Sequence, residues 1–503
     1  MFALPLIYLV LRPDARRRLH KAGVLVASVF IPGGCALQAP YTTPEMASPK
    51  AWSVNSGPAL AATADTPNAH PEPLWWLALG DAAINALTES ACADSPSLTQ
   101  AVARIDEARA TLGLNRAAQT PTIGINASLS RAQSQNTSPQ SSGATQLSRS
   151  TTVGPSLSWE IDLFGRVRQS VEAAQSRLDA RTADAVSAHL ALVSDIANNV
   201  LSLRACENSR RVLVDDIASR EKTLELTRLR LKTGFASPVD EARAESGIAS
   251  IHTNLASQEE QCARLVNALV ALSGVEAQTV RDWVGISGSI PATGPVFMPQ
   301  APAAAPQLPA TLLARHPSVR STEREVAAAW AEIGVARANR LPQLNLAAAL
   351  TGQWISAAGS SLSFTTWSLG PSLAGTLFDG GAGASNVSAA EARYLRAMAS
   401  MQSTLRSTVQ EVENALAAQA SAQARSASTL EGVKAARTTL AATQAQWEAG
   451  TVSLFELEDS RRQFASAQDA EISARRDQAQ AWVALVKATG AYITLSPENP
   501  HHE

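Results

Sequence analysis

The chain has 503 residues, more than one ordinary globular core holds, so two or more structural units are expected. Its net charge of −2 and pI near 6.4 argue against nucleic acid as a partner. Hydrophobic residues make up 45% of the chain but aromatic residues only 5%, which favours long, closely packed helices over a thick aromatic core. The four Cys and seven His form no metal-binding motif, and we expect no cofactor.

The first 35 residues, 1–35, are typical of an export signal. A basic patch at 16–21 precedes the apolar run AGVLVASVF, and small residues with a cysteine follow in PGGC. Cys35 is the predicted site of lipid attachment, as in a lipoprotein, although Pro32 stands where lipoprotein signals usually carry Leu. The alternative is ordinary signal cleavage with Cys35 incidental. Residues 36–73 are rich in Pro, Ala and Thr and are expected to form an extended tether.

An internal duplication organises the rest of the chain. The segment GPSLSWEIDLFG, which starts at Gly154, returns as GPSLAGTLFDGG at Gly370, an offset of 216 residues. Matches continue along both copies, which predicts two structural repeats at 74–274 and 308–490. Residues 275–307 are expected to form a linker between the repeats, and 491–503 a tail.

Four segments alternate between apolar and polar residues and therefore predict β-strands with one apolar and one polar face. They lie at about 122–131, 151–162, 343–352 and 366–377. On the pattern alone, two interpretations stay open: an antiparallel sheet on a soluble core, or the wall of a transmembrane barrel. Three tryptophans in or beside these strands fit a membrane-interface girdle, namely Trp159, Trp354 and Trp367.

Each strand pair is followed by a very long helical stretch. Long helices are predicted at 166–233 and 384–448, with return helices at 238–273 and 453–489, because apolar residues recur in steps of three and four. Gly165 and Gly381 mark the turns from strand to helix. A continuous helix of this length would reach about 100 Å, which suits an antiparallel coiled coil and no compact domain.

A disulfide is one interpretation of two cysteines on the first helical hairpin. Cys206 lies 28 residues before Gly234 and Cys262 lies 28 residues after it, so an antiparallel hairpin brings them level. The alternative is that they are two small buried hydrophobic residues.

The predicted strands are too few for a closed membrane barrel. Known barrels start at about eight strands, and lipid tolerates no unpaired strand edges. Either the sheet is soluble or several chains share one barrel. Eight strands from two chains would enclose only side chains, whereas twelve from three would leave a passage. The polar strand faces and the very long helices favour a water-filled conduit built by several chains.

The chain resembles the TolC family of outer-membrane efflux channels, specifically the lipoprotein branch that serves RND-type pumps (NodT/OprM-like). The resemblance covers nearly all of the mature chain. Its carriers are CALQAPYTTP from Cys35, WWLALGDAAINAL from Trp75, the block LPATLLARHPSVRSTEREVAAAWAEIGVARANRLPQL from Leu308, the paired GPSL segments and SLFELEDSRRQFASAQ. His316 and Ser318 depart from the family pattern, which usually has Arg and Asp there.

The resemblance implies a mainly α-helical homotrimer with a twelve-stranded transmembrane barrel in outer-membrane lipid and a long α-helical barrel crossing the periplasm. It also implies a periplasmic adaptor, an inner-membrane RND pump and no chemistry of the channel's own. The helix tips would form a periplasmic gate. Threefold symmetry would turn their carboxylates into rings, whereas the alternative is ordinary solvated helix ends. The tip residues are Gly234, Ser237, Asp240, Gly450, Ser453, Glu456 and Asp459.

Other functions fit the sequence less well. An enzyme is disfavoured because DGGAGAS at 379–385 lacks the Lys-Ser/Thr ending of a phosphate-binding loop. A periplasmic adaptor would have one helical hairpin, and a structural coiled coil would need neither an export signal nor alternating strands. The expected function is the exit duct of a tripartite efflux system. The alternative is the outer-membrane conduit of a type I protein secretion system.

Overall fold

The structure is a computed structural model that describes residues 38–45, 49, 51–53, 74–135, 145–286, 297–302, 304–306, 309–357, 359–491 and 493–495. The export signal with Cys35 lies outside the described residues, as do most of the tether and the end of the tail.

Nine α-helices lie in the described ranges, and a short 3₁₀ helix at Trp75–Leu79 precedes them. The helices are α1 Ala82–Asp94, α2 Pro96–Ala117, α3 Arg166–Lys232, α4 Pro238–Ser273, α5 Ala277–Val284, α6 Pro309–Arg315, α7 Pro317–Ala338, α8 Ala382–Glu448 and α9 Leu454–Ala488.

The strands described by the structure form two antiparallel sheets. The larger contains β1 Thr122–Gln135, β2 Thr145–Ile161, β4 Gln343–Ala357 and β5 Ser360–Ala374, and the smaller contains β3 Ala304–Pro306 and β6 Ile493–Leu495. The strands of the larger sheet extend further toward their connecting turns than the sequence pattern predicted. Apolar alternation fades into Ser, Gln and Thr near the turns, but the main-chain ladder continues through these polar residues.

α3 and α8 are each 67 residues long. At about 1.5 Å per residue, each rises about 100 Å along its own axis. No proline interrupts either helix, and the first glycine after α3 that leaves the helical conformation is Gly234, with a φ of 78°. Helix length here follows from the absence of any residue that would end the helix sooner.

The chain divides into two compact units, and both units contain segments from both halves of the sequence. One unit holds Leu112–Ala174 and Ala329–Tyr394 and therefore the larger sheet. The other holds Thr43–Thr111, Gln175–Ala328 and Leu395–Glu503. The core of this second unit contains fully buried Trp75 and Trp482, whose ring centres lie 5.7 Å apart.

The predicted linker at 275–307 contains two regular elements, α5 and β3. Val280 and Val284, one helical turn apart, are buried in the core of the second unit. β3 pairs with β6, so part of the predicted tail also belongs to a sheet. One helical turn of apolar residues gives too little periodicity to be recognised among Pro- and Ala-rich neighbours.

Candidate functional site

Two β-hairpins lie side by side in the larger sheet, in the order β1-β2-β4-β5. Directly opposed residues share a face in antiparallel strands, so the register assigns every side chain to one of two faces. Among the described strands, β1 and β5 lie at the edges, and each has a partner on one side only.

One face of the sheet is apolar and exposed. Ile125 is 76% exposed and Leu369 65%, whereas residues of their kind are normally buried. An exposed apolar surface of this extent indicates contact with lipid or another chain. The large exposed members of this face are Ile123, Ile125, Leu129, Leu147, Val153, Leu350, Trp354, Trp367, Leu369 and Leu373.

The opposite face is hydroxyl- and amide-rich, and its side chains hydrogen-bond across the strands. The Asn126 side chain donates to the Ser156 hydroxyl at 2.9 Å. The hydroxyl groups of Ser128 and Thr152 lie 2.6 Å apart, and two serines one rung further lie 2.7 Å apart. Such a face is compatible with water, so the sheet has one surface suited to lipid and one suited to a water-filled space.

The repeated GPSL segment lies inside β2 and in the last residues of β5. A Cβ atom on Gly154 would overlap the main-chain carbonyl of Leu350 in β4. Gly370 holds the equivalent position in edge strand β5, and no atom of the described residues lies within 4 Å of a Cβ built there. The glycine in β2 therefore has a neighbouring strand packed closely against it, whereas the equivalent glycine in β5 does not.

The predicted interface tryptophans take different positions on the apolar face. Trp159 lies near the helix-proximal end of β2 and donates its indole N–H to the Gln119 carbonyl at 3.1 Å. Trp354 lies near the turn-proximal end of β4. Trp367 lies at the centre of β5, opposite Leu350. Within β5 the apolar residues change faces, because Leu362 and Phe364 lie on the polar face and Trp367 on the apolar one. The alternation therefore predicted a strand that begins near Trp367.

The two strand-to-helix turns use the same chemistry. Gly165 and Gly381 adopt φ values of 81° and 92°, which only glycine accepts readily. An aspartate then caps each long helix: the carboxylate of Asp162 accepts from the N–H groups of Val167 and Arg168, and that of Asp379 accepts from those of Gly381 and Gly383. These hydrogen bonds lower the pKa of Asp379.

The hairpin tips show the same ending at both long helices. Gly234 and Gly450 each adopt a φ of 78° and close a Schellman motif. At the first tip, the Phe235 N–H donates to the Arg230 carbonyl at 2.8 Å. At the second tip, the Thr451 N–H donates to the Gln446 carbonyl at 2.9 Å.

Both return helices begin with a capping box. The Ser237 hydroxyl accepts from the Asp240 N–H, and the Asp240 carboxylate accepts from the Ser237 N–H at 3.0 Å. Ser453 and Glu456 repeat this arrangement. Bonds from Ser237 lower the pKa of Asp240. Asp459 accepts from Arg462 at 2.9 Å. Each predicted gate carboxylate therefore accepts a hydrogen bond from a residue at the start of its own return helix.

A tip residue that the sequence analysis missed is Arg230. Its guanidinium carbon lies 4.3 Å from the ring centre of buried Trp447, and its Nη2 donates to the carbonyls of Trp447 and Glu448, each at 3.1 Å. The C-terminal end of α3 is thereby joined to that of α8. An arginine in the last turn of a helix was visible in the sequence, but its partner 217 residues away was not.

A disulfide joins Cys206 and Cys262, with their Cα atoms 5.7 Å apart. Both cysteines are buried between α3 and α4. The bond closes a loop with a sequence separation of 56 residues. The chain-entropy model assigns such a loop up to about 4 kcal/mol of stabilisation.

We expect reduction of this disulfide to slow the migration of the denatured chain in gel electrophoresis, because opening the loop extends the chain. Cys206→Ser/Cys262→Ser should migrate like the reduced protein under both conditions. Cys92→Ser is the matched control and should keep the shift, because Cys92 is free. If reduction left the migration of the wild-type chain unchanged, that result would contradict the disulfide.

The departures from the family pattern at 316 and 318 lie inside the second unit. His316 is buried, and burial lowers its pKa to about 4, so the side chain is neutral at physiological pH. The hydroxyl groups of Ser318 and Ser187 lie 3.4 Å apart. Neutral groups suit this buried position, where an unpaired charge would be costly.

The described residues contain no cluster of three or more His, Cys, Asp or Glu side chains that could hold a metal ion. Among the described helices, α3 alone has a stretch long and apolar enough to cross a membrane, and 50% of that stretch is buried. This is weak evidence for a membrane-spanning helix, and the exposed apolar face of the sheet is the stronger membrane signal.

A family model described as outer membrane efflux protein matches residues 87–275 and 308–491. The chain belongs to this family. Nodulation protein T of Rhizobium leguminosarum bv. viciae is 29% identical over 402 residues, which cover 78% of this chain and 79% of that protein. The probable efflux pump outer membrane protein TtgC of Pseudomonas putida is 27% identical and covers 93% of this chain and 94% of its own length.

The fold agrees with the family. A crystal structure of a membrane protein from Pseudomonas aeruginosa superposes with a TM-score of 0.77 at 25% identity, covering 90% of this chain and 100% of that one. This chain is therefore an outer-membrane efflux protein with the TolC-like fold. The family is one of efflux proteins, and the comparisons support efflux over the secretion alternative.

Proposed function

We propose that this protein is the exit duct of a tripartite RND-type efflux system and that it conducts small toxic compounds passively from pump and adaptor to the exterior. One observation carries the proposal: a sheet with an exposed apolar face, a polar face and two open edges. Such a sheet is stable in lipid only when both edges are paired. Energy would come from the inner-membrane pump, because a water-filled duct needs none of its own.

Three copies of the sheet supply twelve strands, enough to leave a passage, and the internal duplication lets each copy provide two similar hairpins. We propose that β5 of one copy pairs with β1 of the next. Gly370 supports this pairing, since its counterpart Gly154 accepts the close approach of β4. Trp159 and Trp354 would then contribute to the membrane-interface belts, and Cys35 would hold the lipid anchor.

The hairpin tips are the proposed docking surface for the periplasmic adaptor and for the gate. Phe235 is 85% exposed and Phe455 is 61% exposed, one at each tip, and Val239 is exposed beside the first. Exposed aromatic residues at the end of a hairpin contribute nothing to a core in this chain. Apolar residues that lack a partner within one chain favour docking against a partner protein.

The test is complementation of a strain that lacks the gene, screened for sensitivity to toxic compounds. Wild type should restore resistance and give heat-sensitive trimers in the outer-membrane fraction. Gly370→Val should lose both, because a side chain there meets only a neighbouring copy. Ser368→Val, on the same strand and face, is the control and should keep both. Phe235→Ser should keep trimers but lose resistance.

The single chain offers Gly370→Val no steric obstacle, which makes the experiment decisive. Trimers and resistance at wild-type levels in Gly370→Val would contradict the pairing of β5 with β1. If the wild-type protein formed trimers but the complemented strain and the deletion strain were equally sensitive to every compound, that result would contradict the efflux role.

A further inference from the structure

The larger sheet carries an unusual distribution of charge. Between Thr122 and Trp159 the charged residues are Arg131 and Arg149 alone, and between Gln343 and Phe378 there is none of either sign. These two arginines are therefore the charged side chains of β1, β4, β5, both hairpin turns and β2 up to Trp159. Glu160, at the opposite end of β2, is paired with Arg166 at 2.8 Å.

The register places these two arginines directly opposite each other. Arg131 of β1 pairs with Arg149 of β2. They share the face of Leu129 and Thr151, the preceding rung, and both side chains are exposed. They consequently lie on the apolar face, whereas the hydroxyl pair Ser130–Ser150 between these rungs points to the polar side.

Like charges directly opposite on a sheet destabilise it. A carboxylate could relieve the repulsion, but neither the sheet nor its hairpin turns contain one near this end. A neighbouring copy cannot supply one from its sheet either, because its sequence is the same. A counter-charge for the pair therefore has to come from another molecule or from an ion in solution.

The position of the pair defines the source of that counter-charge. Arg131 lies eight residues from Ile123, or about 27 Å along β1, toward the turn that joins β1 to β2. With the usual strand tilt this distance rises about 20 Å, which places the pair near the outer end of an apolar band about 25 Å tall. Trp354 lies beside Thr151, one rung below, as expected for the outer aromatic belt.

We propose that Arg131 and Arg149 bind a phosphate of an anionic glycolipid in the outer leaflet of the outer membrane. The inference rests on the proposed membrane insertion of the sheet. Two guanidinium groups on one rung provide parallel donors for phosphate oxygens, and the apolar residues below them receive the acyl chains. The site is repeated in each copy, so a trimer has one such site per chain.

The probe is lipid A with two phosphates, titrated onto detergent-solubilised full-length trimers and followed by native mass spectrometry. Wild type should bind it, and Arg131→Gln/Arg149→Gln should bind about thirtyfold more weakly, as two arginines near a membrane surface imply. Arg104→Gln, which removes an exposed charge from α2, should bind like wild type. Dephosphorylated lipid A should not distinguish the proteins.

A second measurement separates binding from a structural role. Without lipid A, trimers of the double variant should dissociate thermally at a temperature no lower than those of wild type, because the repulsion is gone. Equal lipid A binding by wild type and double variant would overturn the proposal. So would inorganic phosphate displacing the lipid, since it would indicate a free-anion site. Wild type without trimers in the outer membrane would instead overturn the proposed function.

Discussion

Arg204→Met should lower the free energy of unfolding by about 3–5 kcal/mol, because it leaves a buried carboxylate without its counter-charge. Arg204 is 7% exposed and Asp81 0%, and two hydrogen bonds of 2.7 and 2.9 Å join them. Asp81 also caps α1 by accepting from the Ala83 N–H at 2.9 Å. Arg204 further donates to the Val284 carbonyl of α5, so one ion pair connects α1, α3 and α5.

Denaturant unfolding in detergent, followed by tryptophan fluorescence, would measure the effect, because Trp75 and Trp482 lie in the same unit. Asp81→Asn/Arg204→Met should recover a large part of the loss, since Asn caps a helix about as well and carries no charge. Arg264→Met is the control: its pair with Glu260 is 77% and 62% exposed and should contribute under about 1 kcal/mol. Equal losses for Arg204→Met and Arg264→Met would refute the argument.

Arg230→Ala should raise the closed-state conductance of the channel, because it removes the contact between the ends of α3 and α8. The stacking on Trp447 and the two hydrogen bonds to the end of α8 together contribute about 2 kcal/mol, which corresponds to about a thirtyfold shift in the gating equilibrium. The positive charge also faces the C-terminal carbonyls of α8, a favourable arrangement. Single-channel recording in planar bilayers measures the change.

Lys232→Ala is the matched control, because Lys232 is exposed and lies two residues further along the chain, and it should leave the conductance unchanged. Arg230→Lys should be intermediate, since it keeps the charge and loses the planar stacking. Asp240→Ala and Glu456→Ala test the carboxylate rings. Their carboxylates bond their own N-caps, so we expect loss of about 1 kcal/mol of local helix stability and little change in conductance. A larger rise in conductance for Asp240→Ala and Glu456→Ala than for Arg230→Ala would instead indicate that the carboxylate rings hold the channel closed.

The sequence by itself determined the features that depend on near neighbours. Alternation identified four strands with two unlike faces, and the absence of interrupting residues between Gly165 and Gly234 predicted a helix of the observed length. Equal spacing from Gly234 predicted that Cys206 and Cys262 would be level. These features are readable because a strand repeats every two residues and a helix every 3.6, so local composition suffices.

Tertiary structure alone decided what depends on distant neighbours. The order β1-β2-β4-β5, with its two open edges, is a choice among several pairings that the alternation allows. The partners of Arg204 and Arg230 lie 123 and 217 residues away, and the pairing of Arg131 with Arg149 depends on the hairpin register. No sequence period encodes such contacts, because they form only after loops have closed and burial has selected one arrangement.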